Sequence, residues 1–85
     1  MKYLQEKYPE AVELVLAENA RQYPDAQFLS YSVEHSGEDG IVINIYFNIG
    51  KQDKVLWAFV FYSKETPEDT FIDEYYEIDD GEIIE

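Results

Sequence analysis

The sequence predicts an α+β domain: an N-terminal helix packed on an antiparallel β-meander of three to four strands. Three observations carry this. Tyr8, Val12, Val15, Leu16, Asn19 and Tyr23 fall on one stripe at helical period. Residues 27–35 and 41–49 alternate between apolar and polar positions with period two. Residues 55–63 form a third run of strand length that is apolar at nearly every position.

The helix is predicted over 9–22. Pro9 suits the first helical position, where a missing N–H costs nothing. Glu10 and Glu13 complement the positive end of the helix dipole. Pro24 ends the helix, because it pushes Tyr23 towards extended geometry. Residues 2–7 are expected to add a turn before Pro9. Lys-Tyr-Pro-Glu-Ala at 7–11 is echoed by Gln-Tyr-Pro-Asp-Ala at 22–26. One such pair does not make a repeat architecture; it reads as matching punctuation at the two ends of one helix.

In the first strand Leu29, Tyr31, Val33 and His35 are expected on one face, and Phe28, Ser30, Ser32 and Glu34 on the other. Ser36–Gly40 is a turn, with Asp39-Gly40 as its strongest signal. In the second strand Ile41, Ile43, Ile45, Phe47 and Ile49 form a ladder opposed by Val42, Asn44, Tyr46 and Asn48. Gly50–Asp53 is the next turn. The third strand presents Val55, Trp57, Phe59 and Phe61 on one face and Leu56, Ala58, Val60 and Tyr62 on the other. Both faces are apolar, so both want cover, and one helix covers only one. The second face must meet the C-terminal segment, a second subunit or a partner. Thr66-Pro67-Glu68-Asp69 predicts a short helical turn near 67–71. Phe71–Ile78 then reads as a fourth strand, with a longer helix over 67–77 as the competing assignment.

Eighty-five residues make a single acidic domain, 1–85. Apolar residues at 46% and aromatics at 16% exceed what a disordered acidic chain carries. Cysteine is absent, so no disulfide or thiolate metal site staples the fold. The first residues have no apolar core of a signal peptide, and no apolar run is long enough to span a membrane. The expected setting is soluble and cytoplasmic, with no membrane partner.

The net charge of −13 is uneven. Residues 65–85 hold ten acids and no base, while Lys51, Lys54 and Lys64 make residues 51–64 basic. Phe71, Ile72, Tyr75, Tyr76, Ile78, Ile83 and Ile84 are interleaved with those acids, so the segment is expected to dock rather than to trail as a solvated tail. Such a surface repels nucleic acid and anionic lipid and attracts a basic protein.

Catalytic signatures are weak. His35 is the lone histidine, and no serine sits in a G-x-S-x-G elbow. With 19 acids, carboxylate pairs are inevitable and carry no information. Calcium loops built with Gly40 or Gly81 at the sixth position fail, because the first position would be His35 or Tyr76. No cofactor motif is present, and the chain is expected not to be an enzyme.

The Tyr23-Pro24-Asp25-Ala26 passage resembles the entry of PepSY-type domains. Size, charge and the Trp57-Ala58-Phe59-Val60 strand are similar to those of the phage uracil-DNA glycosylase inhibitors, which are acidic DNA mimics. Neither likeness spans a functional motif, so no residue role is carried over.

The functional expectation is a small acidic, non-catalytic binding module of the inhibitor, immunity or DNA-mimic type. It would engage a basic protein through Asp69, Asp73, Glu74, Glu77, Asp79, Asp80 and Glu82, with Trp57 as an anchor. The alternative is an assembly module that dimerises through the second apolar face of strand 55–63.

Overall fold

A computed structural model describes residues 1–38 and 40–82. Helices α1 (Lys2–Lys7) and α2 (Pro9–Gln22) precede strands β1 (Gln27–Ser36), β2 (Gly40–Asn48), β3 (Lys54–Ser63) and β4 (Phe71–Asp79). The strands form one antiparallel sheet in the order β1-β2-β3-β4. The short turn expected near 67–71 is a 3-10 turn at Pro67–Asp69, and a second follows β4 at Asp80–Glu82. Segment 71–79 is strand, not helix.

The Tyr-Pro echo has a physical meaning. Tyr8 has φ −133° and ψ 62°, and Tyr23 has φ −139° and ψ 68°. Each precedes a proline whose ring disfavours helical geometry at that residue. Each N–H donates at 2.7 Å to a carbonyl four residues back, Leu4 and Asn19 respectively. The same cap therefore ends both helices, and Pro9 starts α2 where α1 stops.

The helical layer covers one face of the sheet. Leu4, Tyr8, Ala11, Val12 and Val15 pack against Ile41, Ile43, Ile45, Phe47, Leu56, Ala58, Val60 and Tyr62. Leu16, expected in the stripe, is instead 41% exposed, and Ala11 takes its place. At helical period the buried arc of α2 centres on Ala11, Val12, Val15 and Asn19, and Leu16 falls at its margin.

β1 also departs from simple alternation. A bulge between Phe28 and Ser30 leaves Leu29 without a partner on β2. Phe28 consequently joins Tyr31 and Val33 on the helix side, and Leu29 is 45% exposed. The β1–β2 connection turns at Gly37, with φ 78°, a left-handed conformation that favours glycine. Asp39 of the expected Asp-Gly signal lies outside the described residues, as do Ile83 and Ile84 of the C-terminal apolar set. Among the described residues, no helix is long and apolar enough to cross a membrane.

A candidate docking face on the open side of the sheet

The C-terminal segment is not a lid. It lies in the plane of the sheet as edge strand β4, paired along β3 from Phe61–Phe71 to Lys54–Asp79. Two side-chain bonds tie it to α2. The Tyr75 hydroxyl donates to Asn19 Oδ1 at 2.5 Å, and the Tyr23 hydroxyl donates to Glu77 Oε2 at 3.0 Å. Both anchors reach the helix side, and both described α-helices lie there too. On the opposite face Tyr46 and Val55 are buried among their sheet neighbours, at 2% and 5% exposure, while the rings beside them stay open.

That face is aromatic. Trp57 stacks on Phe59 with centroids 5.6 Å apart and meets Tyr76 edge-on at 5.3 Å. Phe61 stacks on Phe71 at 5.6 Å. Phe71 and Tyr76 are about half exposed, at 50% and 48%. The indole N–H is satisfied within the sheet: Trp57 Nε1 donates to Asn44 Oδ1 at 2.8 Å. Asn44 Nδ2 in turn donates to Ser32 Oγ at 3.2 Å. This polar row crosses three strands and fixes the indole, so its ring is held in place without needing an outside hydrogen bond.

The acids expected to bind a partner divide between two environments. Glu74 is exposed and lies opposite Phe59, on the open face beside the rings. Asp73 is the extra residue of a bulge between Phe59 and Val60 and is exposed at the β4 edge. Asp69 is exposed two residues before Phe71. Glu77 faces the helices and accepts two bonds from Lys51 Nζ, at 2.8 and 3.0 Å. The Lys51 ammonium and the Tyr23 hydroxyl hold its carboxyl below the usual carboxylate range. Asp79 pairs with Lys54 at 2.5 Å. Asp80 and Glu82 lie in the last 3-10 turn, where the Asp80 N–H donates to the Asp53 carbonyl at 3.0 Å. The basic interval at Lys51 and Lys54 thus pairs with the acids at one end of β4, while Glu74 and Asp73 form no ion pair among the described residues.

Sequence reasoning placed Trp57, Phe59 and Phe61 together but did not name the two phenylalanines as anchors. Phe71 and Tyr76 were out of reach, because only the β3–β4 register brings them alongside. Among the described residues, no group of three or more His, Asp or Glu side chains is arranged to hold a metal ion. No protein family, curated protein or solved structure matches the chain.

Proposed function

We propose that this protein is an acidic, non-catalytic binding module that docks an arginine- or lysine-bearing protein segment on its open sheet face. The observation that carries the reading is the uncovered side of β3, where Trp57, Phe59 and Phe61 join Phe71 and Tyr76 beside Glu74. Large exposed aromatic patches rimmed by polar groups mark interaction sites. A guanidinium or ammonium gains twice here, from the ring faces and from the carboxylates at the rim. The net charge of −13 steers a cationic partner and opposes a second copy of the same chain. The expected mechanism is attraction by the field followed by seating of cationic side chains among fixed rings.

Trp57 is the single tryptophan, so its emission reports from the face itself. Titration with a nona-arginine peptide is expected to change that emission saturably, and more weakly as salt rises. Glu74→Gln is expected to weaken binding several-fold, while Asp25→Asn, beyond the end of α2, leaves it unchanged. Saturable binding that leaves Trp57 emission unaltered and is indifferent to Glu74→Gln would place the partner elsewhere. Sedimentation of the free protein at high concentration checks the alternative occupant. A stable dimer that shields Trp57 would give the face to a second copy.

A further inference from the structure

Two of the three unpaired basic side chains of this acidic chain meet on the other side of the sheet. The chain has six basic residues against 19 acids. Arg21 pairs with Glu18 at 2.7 Å, Lys51 with Glu77 at 2.8 Å, and Lys54 with Asp79 at 2.5 Å. Lys7 and Lys64, like Lys2, form no ion pair among the described residues. Lys7 and Lys64 line one cavity of about 470 Å³, together with His35, Tyr3, Tyr8 and Tyr62.

The fold explains the meeting. His35 pairs with Ile41 and Ile41 with Tyr62, so these three stand in one row on the helix side of β1, β2 and β3. Ile41 is buried in the middle of that row, and His35 and Tyr62 flank it. α1 brings Tyr3 and Lys7 over the same end, and Lys64 follows the last residue of β3. Tyr3 stacks on Tyr31 at 5.9 Å and is 50% exposed, which sets an aromatic wall at the rim. Tyr8 meets Tyr62 edge-on at 5.0 Å, which fixes the floor. The Tyr62 hydroxyl is used internally, donating to Glu10 Oε1 at 3.4 Å. Burial, followed by the nearby Tyr3 hydroxyl, pushes the Tyr8 phenol up, so it stays an O–H donor at neutral pH.

Two ammonium groups facing one concavity repel each other unless an anion lies between them. In a chain with three acids for every base, carboxylates to neutralise them are plentiful, yet no carboxylate lines this cavity. We propose that the cavity is a binding site for a small phosphate monoester, with Lys7 and Lys64 holding the phosphate, His35 giving a further N–H, and the Tyr3 and Tyr8 rings flanking the organic group. A phosphate carries close to two negative charges at neutral pH and three terminal oxygens, which matches two lysines and an imidazole better than a single carboxylate does. The volume lies within the range of small-molecule sites. This site is on the helix side, and it stands independently of the reading of the open face.

Amide NMR titrations of the whole protein at constant ionic strength test the assignment, with phenyl phosphate, inorganic phosphate and phenol as probes. Phenyl phosphate is expected to give saturating shifts at Lys7, His35 and Lys64, with tighter binding than inorganic phosphate and none by phenol. Lys7→Gln and Lys64→Gln are each expected to weaken phenyl phosphate at least tenfold. Both side chains are exposed and unpaired, so the variants keep the fold, which their unchanged amide spectra away from the cavity verify. Lys51→Gln, paired with Glu77 beside β4, is expected to bind as the parent protein does. Equal affinity for inorganic phosphate and phenyl phosphate overturns the monoester assignment. Non-saturating shifts, or lysine variants that bind as the parent does, overturn the site.

Discussion

The two faces of β3 are built from the same kinds of residue and meet different fates. Leu56, Ala58, Val60 and Tyr62 are buried under α1 and α2, at 0%, 0%, 0% and 8% exposure. On the alternate positions Val55 is buried at 5% exposure, whereas Trp57, Phe59 and Phe61 are only half-buried, with ring contacts to one another and to β4. Apolar character alone therefore does not distinguish fold from surface along β3; the helical layer buries one side throughout, while the other side buries Val55 and leaves the rings of Trp57, Phe59 and Phe61 partly open. The helix-side residues stabilise the monomer. The open-side residues retain surface whose burial is still available to a partner.

The comparison predicts unequal costs for one and the same substitution. Phe47 is on the helix side and 1% exposed. Phe47→Ala is expected to cost about 3–5 kcal/mol, the range for emptying a packed aromatic site. That is a large fraction of the stability of so short a chain. Urea denaturation followed by far-ultraviolet circular dichroism measures it. A cost below about 1 kcal/mol would erase the distinction between the faces.

A smaller effect is expected where β4 is tied to α2. Tyr75→Phe removes the donor to Asn19 Oδ1, and Asn19 Nδ2 is already buried without a partner. The expected loss is about 1–2 kcal/mol. The same contact carries a pH dependence. Burial first, and then the negative charges of Glu18 and Tyr23, push the Tyr75 phenol from 10.0 to about 12. Above pH 10 the unfolded chain releases this proton while the folded chain retains it. The folded state then binds more protons, so stability falls as pH rises. The contribution is full below pH 10 and is lost by about pH 12. Denaturation midpoints between these limits should fall less steeply in Tyr75→Phe than in the parent.

Much of the fold was legible in the sequence because it rests on local periodicity. The alternation of Ile41, Ile43, Ile45 and Phe47 and the Tyr-Pro stops at 8–9 and 23–24 needed no tertiary information. The bulges at Leu29 and Asp73 were not legible, because a bulge is a difference in residue count between partners. That difference moved Phe28 to the helix side and turned Leu29 outwards. The candidate face was half legible. Alternation within 55–63 grouped Trp57 with Phe59 and Phe61, but Phe71 and Tyr76 entered only through pairing. The acids of β4 looked alike as a string of charges. Their division became visible once Lys51 and Lys54 were seen to reach Glu77 and Asp79.

The smallest predicted change in stability sharpens the comparison most, because it separates stability from recognition. Phe71 is the open-face counterpart of Phe47, half exposed and stacked on Phe61 at 5.6 Å. It sits on edge strand β4, where truncation leaves no closed cavity because solvent already reaches the ring. Phe71→Ala should therefore lose only the value of an aromatic pair and part of its area, about 0.5–1 kcal/mol. Its effect on nona-arginine binding should be larger than its effect on folding, since the exposed half of the ring is the part a cationic side chain covers. Paired measurements on this variant, a denaturation curve and a Trp57 emission titration, give both numbers on one protein. A large loss of stability with unchanged binding would make Phe71 a core residue and would move the boundary between the two faces.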